Sequence, residues 1–261
     1  MSATANLPLD ELRFWETSVG KKAVMAVTGV LLFGFVIAHL LGNLQIFESP
    51  EKINHYAETL RSVPVLLWGA RITLLISVCL HIWASFALWR LQRAARPIPY
   101  VKKSNTHSTY ASRTMMWSGP IVLAFVIYHL LHFTFGVVHP GGPFDKHNVY
   151  NNVVYGFQFW PVSLFYIVAM IMLCYHLYHG LWSMFQTLGF SHPVYTPWLQ
   201  RLAKVAAILI AAGNISIPVA VLAGFIKPAF RSFWVIAVTL ATASFAAGAS
   251  SEYVSDLVFA R

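Results

Sequence analysis

Residues 21–45 read KKAVMAVTGVLLFGFVIAHLLGNLQ. After Lys21 and Lys22 no Asp, Glu, Lys or Arg appears until Glu48. At about 1.5 Å per residue such a run crosses about 30 Å of hydrocarbon as a single helix. Within it stands His39, far from both charged flanks. An imidazole at that depth is costly to bury, and such groups mark function more often than chance. Working outward, comparable apolar runs cover residues 62–89, 115–138 and 159–185, and a shorter one, 205–226, contains Gly213, Asn214 and Pro218. The expected fold is an all-α integral membrane bundle of five transmembrane helices occupying residues 1–226. Residues 227–261 form a C-terminal extension in which 230–249, apolar but rich in Ala, Ser and Thr, is either a sixth span or a helix lying against the bundle.

The composition agrees. Hydrophobic residues make up 57% and charged residues 10%, and the mean hydropathy is +0.62; soluble domains carry about 25% charge. A water-soluble enzyme is excluded, and so is a disordered chain. The net charge of +9 alone would suit nucleic acid, but its distribution is that of a topology signal. Arg13, Lys21, Lys22, Arg90, Arg93, Arg96, Lys102, Lys103, Arg113, Arg201 and Lys204 flank the runs on one side. The other side has fewer bases (Lys52, Arg61, Lys146, Lys227, Arg231), mixed with Glu48, Glu51, Glu58 and Asp145. The positive-inside rule then puts the N-terminus and the basic loops on the cytoplasmic side of the membrane. No cleavable signal peptide is expected ahead of Lys21. Residues 90–113 read as a basic loop broken by Pro97 and Pro99, 139–158 as a polar, turn-rich outer loop, and 46–61 as a loop holding a short interfacial helix. Cys79 and Cys174 lie in apolar runs without metal or redox spacing and are expected to pack as small buried hydrophobes.

The histidines carry the functional reading. His39 lies in the first run, His81 in the second, His129 and His132 in the third, His176 and His179 in the fourth. Measured from the basic rim at the helix rise, His39 and His129 lie about 25 and about 24 Å deep, His81 and His176 about 13 and about 15 Å. Two His–His levels result, about 10–12 Å apart, each drawing one imidazole from each of two helices. Six-coordinate haem iron takes such a pair as axial ligands. Zinc would want three or four protein ligands, and isolated proton relays stay open. His132 and His179, one turn on and less well matched in depth, are expected beside the cofactor or near its propionates. Arg71, alone deep in a span, either snorkels outward or pairs with a propionate. Gly29, Gly34, Gly69, Gly119 and Gly180 suit close approach to a flat macrocycle or ordinary helix packing.

Taken together, GVLLFGFVIAHLLGNLQIF at 29–47, SRTMMWSGPIVLAFVIYHLLHFTFG at 112–136, YHLYHGLWSMFQTLG at 175–189 and GNISIPVAVLAG at 213–224 resemble the cytochrome b membrane anchor of succinate dehydrogenases and fumarate reductases, in its single-chain, two-haem form. The likeness runs over residues 10–226. It implies two b haems, the distal one held by His39 and His129 and the proximal one by His81 and His176. It also implies attachment to a flavoprotein and an iron–sulfur subunit, with room for a higher-order oligomer of the complex. The dicarboxylate chemistry would belong to another chain; electrons from succinate would reach a membrane quinone, menaquinone or ubiquinone, by way of the haems. Where some members place a proton-carrying glutamate two residues before the fourth-segment ligand, this chain has Cys174, so that pathway is expected to be absent. Quinone chemistry consumes protons, and the outer end offers Glu58, Tyr56, Arg61 and Asn43, with His55 and Gln45 nearby. The rival readings are a dihaem cytochrome serving another quinone-linked dehydrogenase or a hydrogenase, and a haem-free transporter lined by histidines.

Overall fold

A computed structural model describes residues 13–95, 98 and 109–229. The chain divides into two units, residues 1–226 and 227–261. The candidate sixth span at 230–249, and Pro97 and Pro99 of the basic loop, lie outside the described residues. Among those described there is no strand. The helices are α1 (Ser18–Leu44), α2 (Pro50–Ser62), α3 (Pro64–Ala94), α4 (Tyr110–His129), α5 (Val149–Gln158), α6 (Trp160–Thr187) and α7 (Thr196–Leu222). Among the described residues five spans are long and apolar enough to cross a membrane: α1 with a 3-10 turn to Phe47, α3, α4 with a π-helical turn to Thr134, α6 and α7. The described residues form an all-α bundle of five transmembrane helices.

Local chemistry sets the starts. The Thr17 and Thr109 hydroxyls accept from the amides of Gly20 and Ser112 at the heads of α1 and α4, and the Ser49 side chain accepts from Lys52 N–H at α2; each satisfies an otherwise orphaned amide. Pro50, Pro64, Pro161 and Pro197 sit in first turns, where a missing N–H costs nothing. That explains why α7 begins at Thr196, well before the expected 205: Pro197 opens the helix instead of breaking it. Likewise α3 carries Arg90 and Arg93 in its last turns, beyond the expected end at 89. α6 stops where Gly189, at φ +84°, adopts the left-handed conformation.

Within the bundle α3 packs on α1, α4 on α6, and α7 on α6, with α1 lying along α6 and α7. Small residues permit the closest approaches: Ala203, Ala207 and Ala211 are buried along α7, and Gly213 lies against the Leu40 side chain. Large apolar side chains such as Val65, Leu41, Leu75 and Leu209 point outward, as a bundle solvated by lipid requires. Cys79 is exposed on α3, which corrects the expectation of a buried thiol; Cys174 is half-buried. At the end where α1, α4 and α7 begin and α3 finishes, Arg13, Arg93, Arg113 and Arg201 lie over Trp15, Trp89, Tyr110 and Trp198 at 4.9–6.0 Å from the ring centroids. Such pairs let an aromatic body sit in apolar surroundings while the charge stays wet.

The opposite end is capped. Residues 139–158, expected as a polar loop, contain the buried helix α5, with Tyr150, Val154 and Phe157 turned inward. Asn148 caps it by accepting from Asn151 N–H. Asn54 of α2 accepts from Tyr150 N–H at 3.0 Å and donates to Asn148 Oδ1 at 3.4 Å, tying α2 to α5. Asn152 accepts from Asp145 N–H and donates to the Asp145 carbonyl. His139 directs its two ring nitrogens at the carbonyls of Gly142 and Asn152. Burial, and secondarily the Glu51 carboxylate, push the Tyr150 phenol above its ordinary pKa.

Candidate functional site

His39 on α1 and His129 at the end of α4 face each other edge to face, with ring centroids 5.7 Å apart. His81 on α3 and His176 on α6 meet at 6.3 Å with planes tilted by 54°. These are the pairs whose depths match along the sequence. The helices bearing them are not close-packed partners: α3 leans on α1 and α4 on α6. Across each seam the imidazoles, not the backbones, make the contact. Among the described residues no group of three or more His, Cys, Asp or Glu side chains converges, so neither level is a closed tetrahedral metal site.

The surroundings are apolar and aromatic. Phe35 stacks on His39 at 5.2 Å, and Phe125, Phe133 and Tyr166 surround His129. Ring nitrogens in such a place must find partners or lose hydration without compensation. His81 Nδ1 lies 3.1 Å from Thr28 Oγ1, and His129 Nδ1 lies 3.3 Å from the Tyr166 hydroxyl. His176 Nδ1 is buried without a partner among the described residues.

The remaining candidates are placed differently. The π turn Leu130–Thr134 follows His129 directly and rotates His132 away from the α1 seam. His132 is completely buried, stacked on Phe133 at 3.8 Å, near His139 at 5.0 Å, and bonded through Nδ1 to Tyr166 at 3.1 Å. Its Nε2 has no partner among the described residues. His179 is half-buried on α6. Arg71 is exposed on α3, with its guanidinium 5.1 Å from the Trp68 ring centroid. Of the quinone candidates, Tyr56 packs directly on Gly42 of α1, beside half-buried Asn43, whereas Glu58 and Arg61 are exposed on α2. A Cβ at Gly34, Gly69, Gly119 or Gly180 would meet nothing within 4 Å, and one at Gly29 would touch His81 at 3.7 Å.

Residues 90–215 match the family model of the succinate dehydrogenase/fumarate reductase transmembrane subunit. The match covers a little under half of the chain, from the last turn of α3 into α7, and over that stretch the chain is similar to this family of membrane-embedded subunits. The matched stretch holds one member of each pair, His129 and His176, and their partners His39 and His81 come from residues ahead of it. No curated protein and no solved structure matches the chain. Sequence reading passed over Thr28, Tyr166 and Gly156. Thr28 carried a faint signal, a lone hydroxyl within an apolar run; Tyr166, one of several hydroxyls in its run, and Gly156, which lies against His132, carried none.

Proposed function

We propose that this chain is the membrane anchor and electron-transfer subunit of a succinate:quinone oxidoreductase. In this reading His39 with His129, and His81 with His176, hold two b haems. A flavoprotein and an iron–sulfur subunit dock on the basic end, and the electrons' destination is a membrane quinone. The observation that carries the reading is the pairing itself: at each of two levels one imidazole from each of two helices converges, with no third ligand among the described residues. Two imidazoles at each level are the donor set that would hold a haem iron. Gly180 supports it, being one turn from His176 on the same face of α6, with nothing within 4 Å of its would-be Cβ. Haem bound there supplies a one-electron carrier in an apolar setting.

The chain's own residues do the rest. Phe35, Phe125 and Phe133 exclude water around the α1–α4 pair, which strengthens every interaction of a bound charge. Lipid-facing side chains and the interfacial Arg–aromatic pairs hold the bundle in the bilayer. Tyr56 and Asn43, at the capped end of α1, are polar groups near the His39 level that can bind a quinone oxygen. That no third ligand joins either pair among the described residues favours this reading over a structural metal. Purification in detergent, with haem counted per polypeptide and a reduced-minus-oxidised spectrum recorded, tests it. Two low-spin b haems are expected. An intact chain without haem, expressed with the cofactor supplied, would refute it.

A further inference from the structure

An imidazole can ligate a metal through Nε2 only if its proton sits on Nδ1, and what fixes that choice is the partner of Nδ1. At His81 the choice follows from donor counting. The Thr28 hydroxyl lies 2.8 Å from the carbonyl of Val24 and 3.2 Å from that of Met25. The carbonyl of Val24 is the nearest acceptor, and the single hydroxyl proton of Thr28 given to it stays within its own helix. Toward His81 Nδ1, 3.1 Å away, Thr28 Oγ1 can then only accept. In that arrangement His81 carries its proton on Nδ1, and its Nε2 lone pair is free.

At the other level the Tyr166 hydroxyl stands between two Nδ1 atoms, His132 at 3.1 Å and His129 at 3.3 Å. With one proton it donates to one and accepts from the other. Donation to His129 would place the His129 proton on Nε2 and disable it as a ligand. Donation to His132 leaves His129 Nδ1–H donating to the phenol oxygen and Nε2 open. His132, fully buried, then has its own proton on Nε2. Each pair thus has one imidazole held by a hydroxyl from another helix, α1 for His81 and α6 for His129. His176 Nδ1 is buried without such a partner among the described residues.

We propose that Thr28 and Tyr166 are positioning residues that set the tautomer and ring orientation of one imidazole in each pair, and so tune the two haems independently. The proposal rests on the bis-histidine reading above. An accepting hydroxyl makes the Nδ1–H imidazole a stronger electron donor and favours oxidised iron. Removing it should favour the reduced state by about tenfold, about 59 mV for one electron.

The test is a redox titration, with electron paramagnetic resonance of the low-spin signals, on the assembled complex in membranes. Thr28→Val should raise the potential of one haem and Tyr166→Phe that of the other, each leaving its neighbour unchanged, while Thr28→Ser restores the original value. Loss of one haem in each variant, a different one in each, supports the same assignment. Both haems retained at unchanged potentials, both variants shifting both haems alike, or Thr28→Ser behaving as Thr28→Val would overturn it. Wild-type protein without haem would instead sink the underlying reading, a result visible before any variant is made.

Discussion

Gly156 shows how far a single position is constrained by a buried imidazole. A Cβ there would lie 2.6 Å from His132 Nε2, 2.8 Å from its Cε1 and 3.1 Å from Phe133 Cε1. Neither ring can easily give way. His132 is completely buried, is anchored by the Tyr166 hydroxyl and lies flat on Phe133. Gly156→Ala should therefore destabilise the fold by about 1–3 kcal/mol, the usual cost of overpacking, read from the midpoint of detergent denaturation followed by circular dichroism. Gly180→Ala is the control, because its Cβ meets nothing within 4 Å. In chain stripped of cofactor it should leave the midpoint unchanged, and in loaded protein it should weaken haem retention if α6 cradles the ring. Equal effects of the two alanines on stripped protein would mean that packing around His132 is looser than the structure has it.

Between elements, the capped end joins polar ties to apolar packing. Asn54 is the joint: α2 holds α5 through Tyr150 N–H and Asn148 Oδ1 on that one amide. Asn54→Ala removes both bonds, at about 1–3 kcal/mol for groups left short of partners. Hydrogen exchange should then speed up at residues 145–158, while the spans keep their protection; uniform loss of protection would show that the cap and the bundle open together. α5 was hard to see in the sequence for a physical reason. Asn148, Asn151, Asn152, Gly141 and Gly142 give the segment the composition of a loop. A helix of ten residues is marginal by itself, so what makes this one is Tyr150, Val154 and Phe157 packing inward. The π turn after His129 left no mark in the sequence either, and it separates His132 from the seam that His129 faces. The spans themselves were legible, because lipid demands long uncharged runs whatever the neighbours are. So was the depth of each histidine, since depth follows from the helix rise alone. Which face a side chain takes, and which hydroxyl meets it, depends on packing between helices, so Thr28 and Tyr166 emerged only with the fold.

At the scale of the whole molecule the asymmetry of charge becomes a prediction about sides. Lys21, Lys22, Arg90, Arg93, Arg113, Arg201 and Lys204 gather where α1, α4 and α7 begin and where α3 and α6 finish. Lys52 at the other end is matched by Glu48 at 3.3 Å, and Glu51 and Glu58 share its exposed helix. The excess of Lys and Arg near span ends marks the side that stays untranslocated, so the first end should face the cytoplasm. Replacing Cys79 and Cys174 by alanine clears the background, and exposed Glu51 on α2 and Gln186 at the end of α6 then serve as single-cysteine reporters. A membrane-impermeant thiol reagent applied to intact spheroplasts should label Glu51→Cys at once and Gln186→Cys only after the membrane is opened. The inverse pattern would place the basic end outside. Soluble electron-donating subunits would then have no access to the surface on which the proposed docking depends, and the His81–His176 pair, nearer that end by helix rise, could not be the entry level.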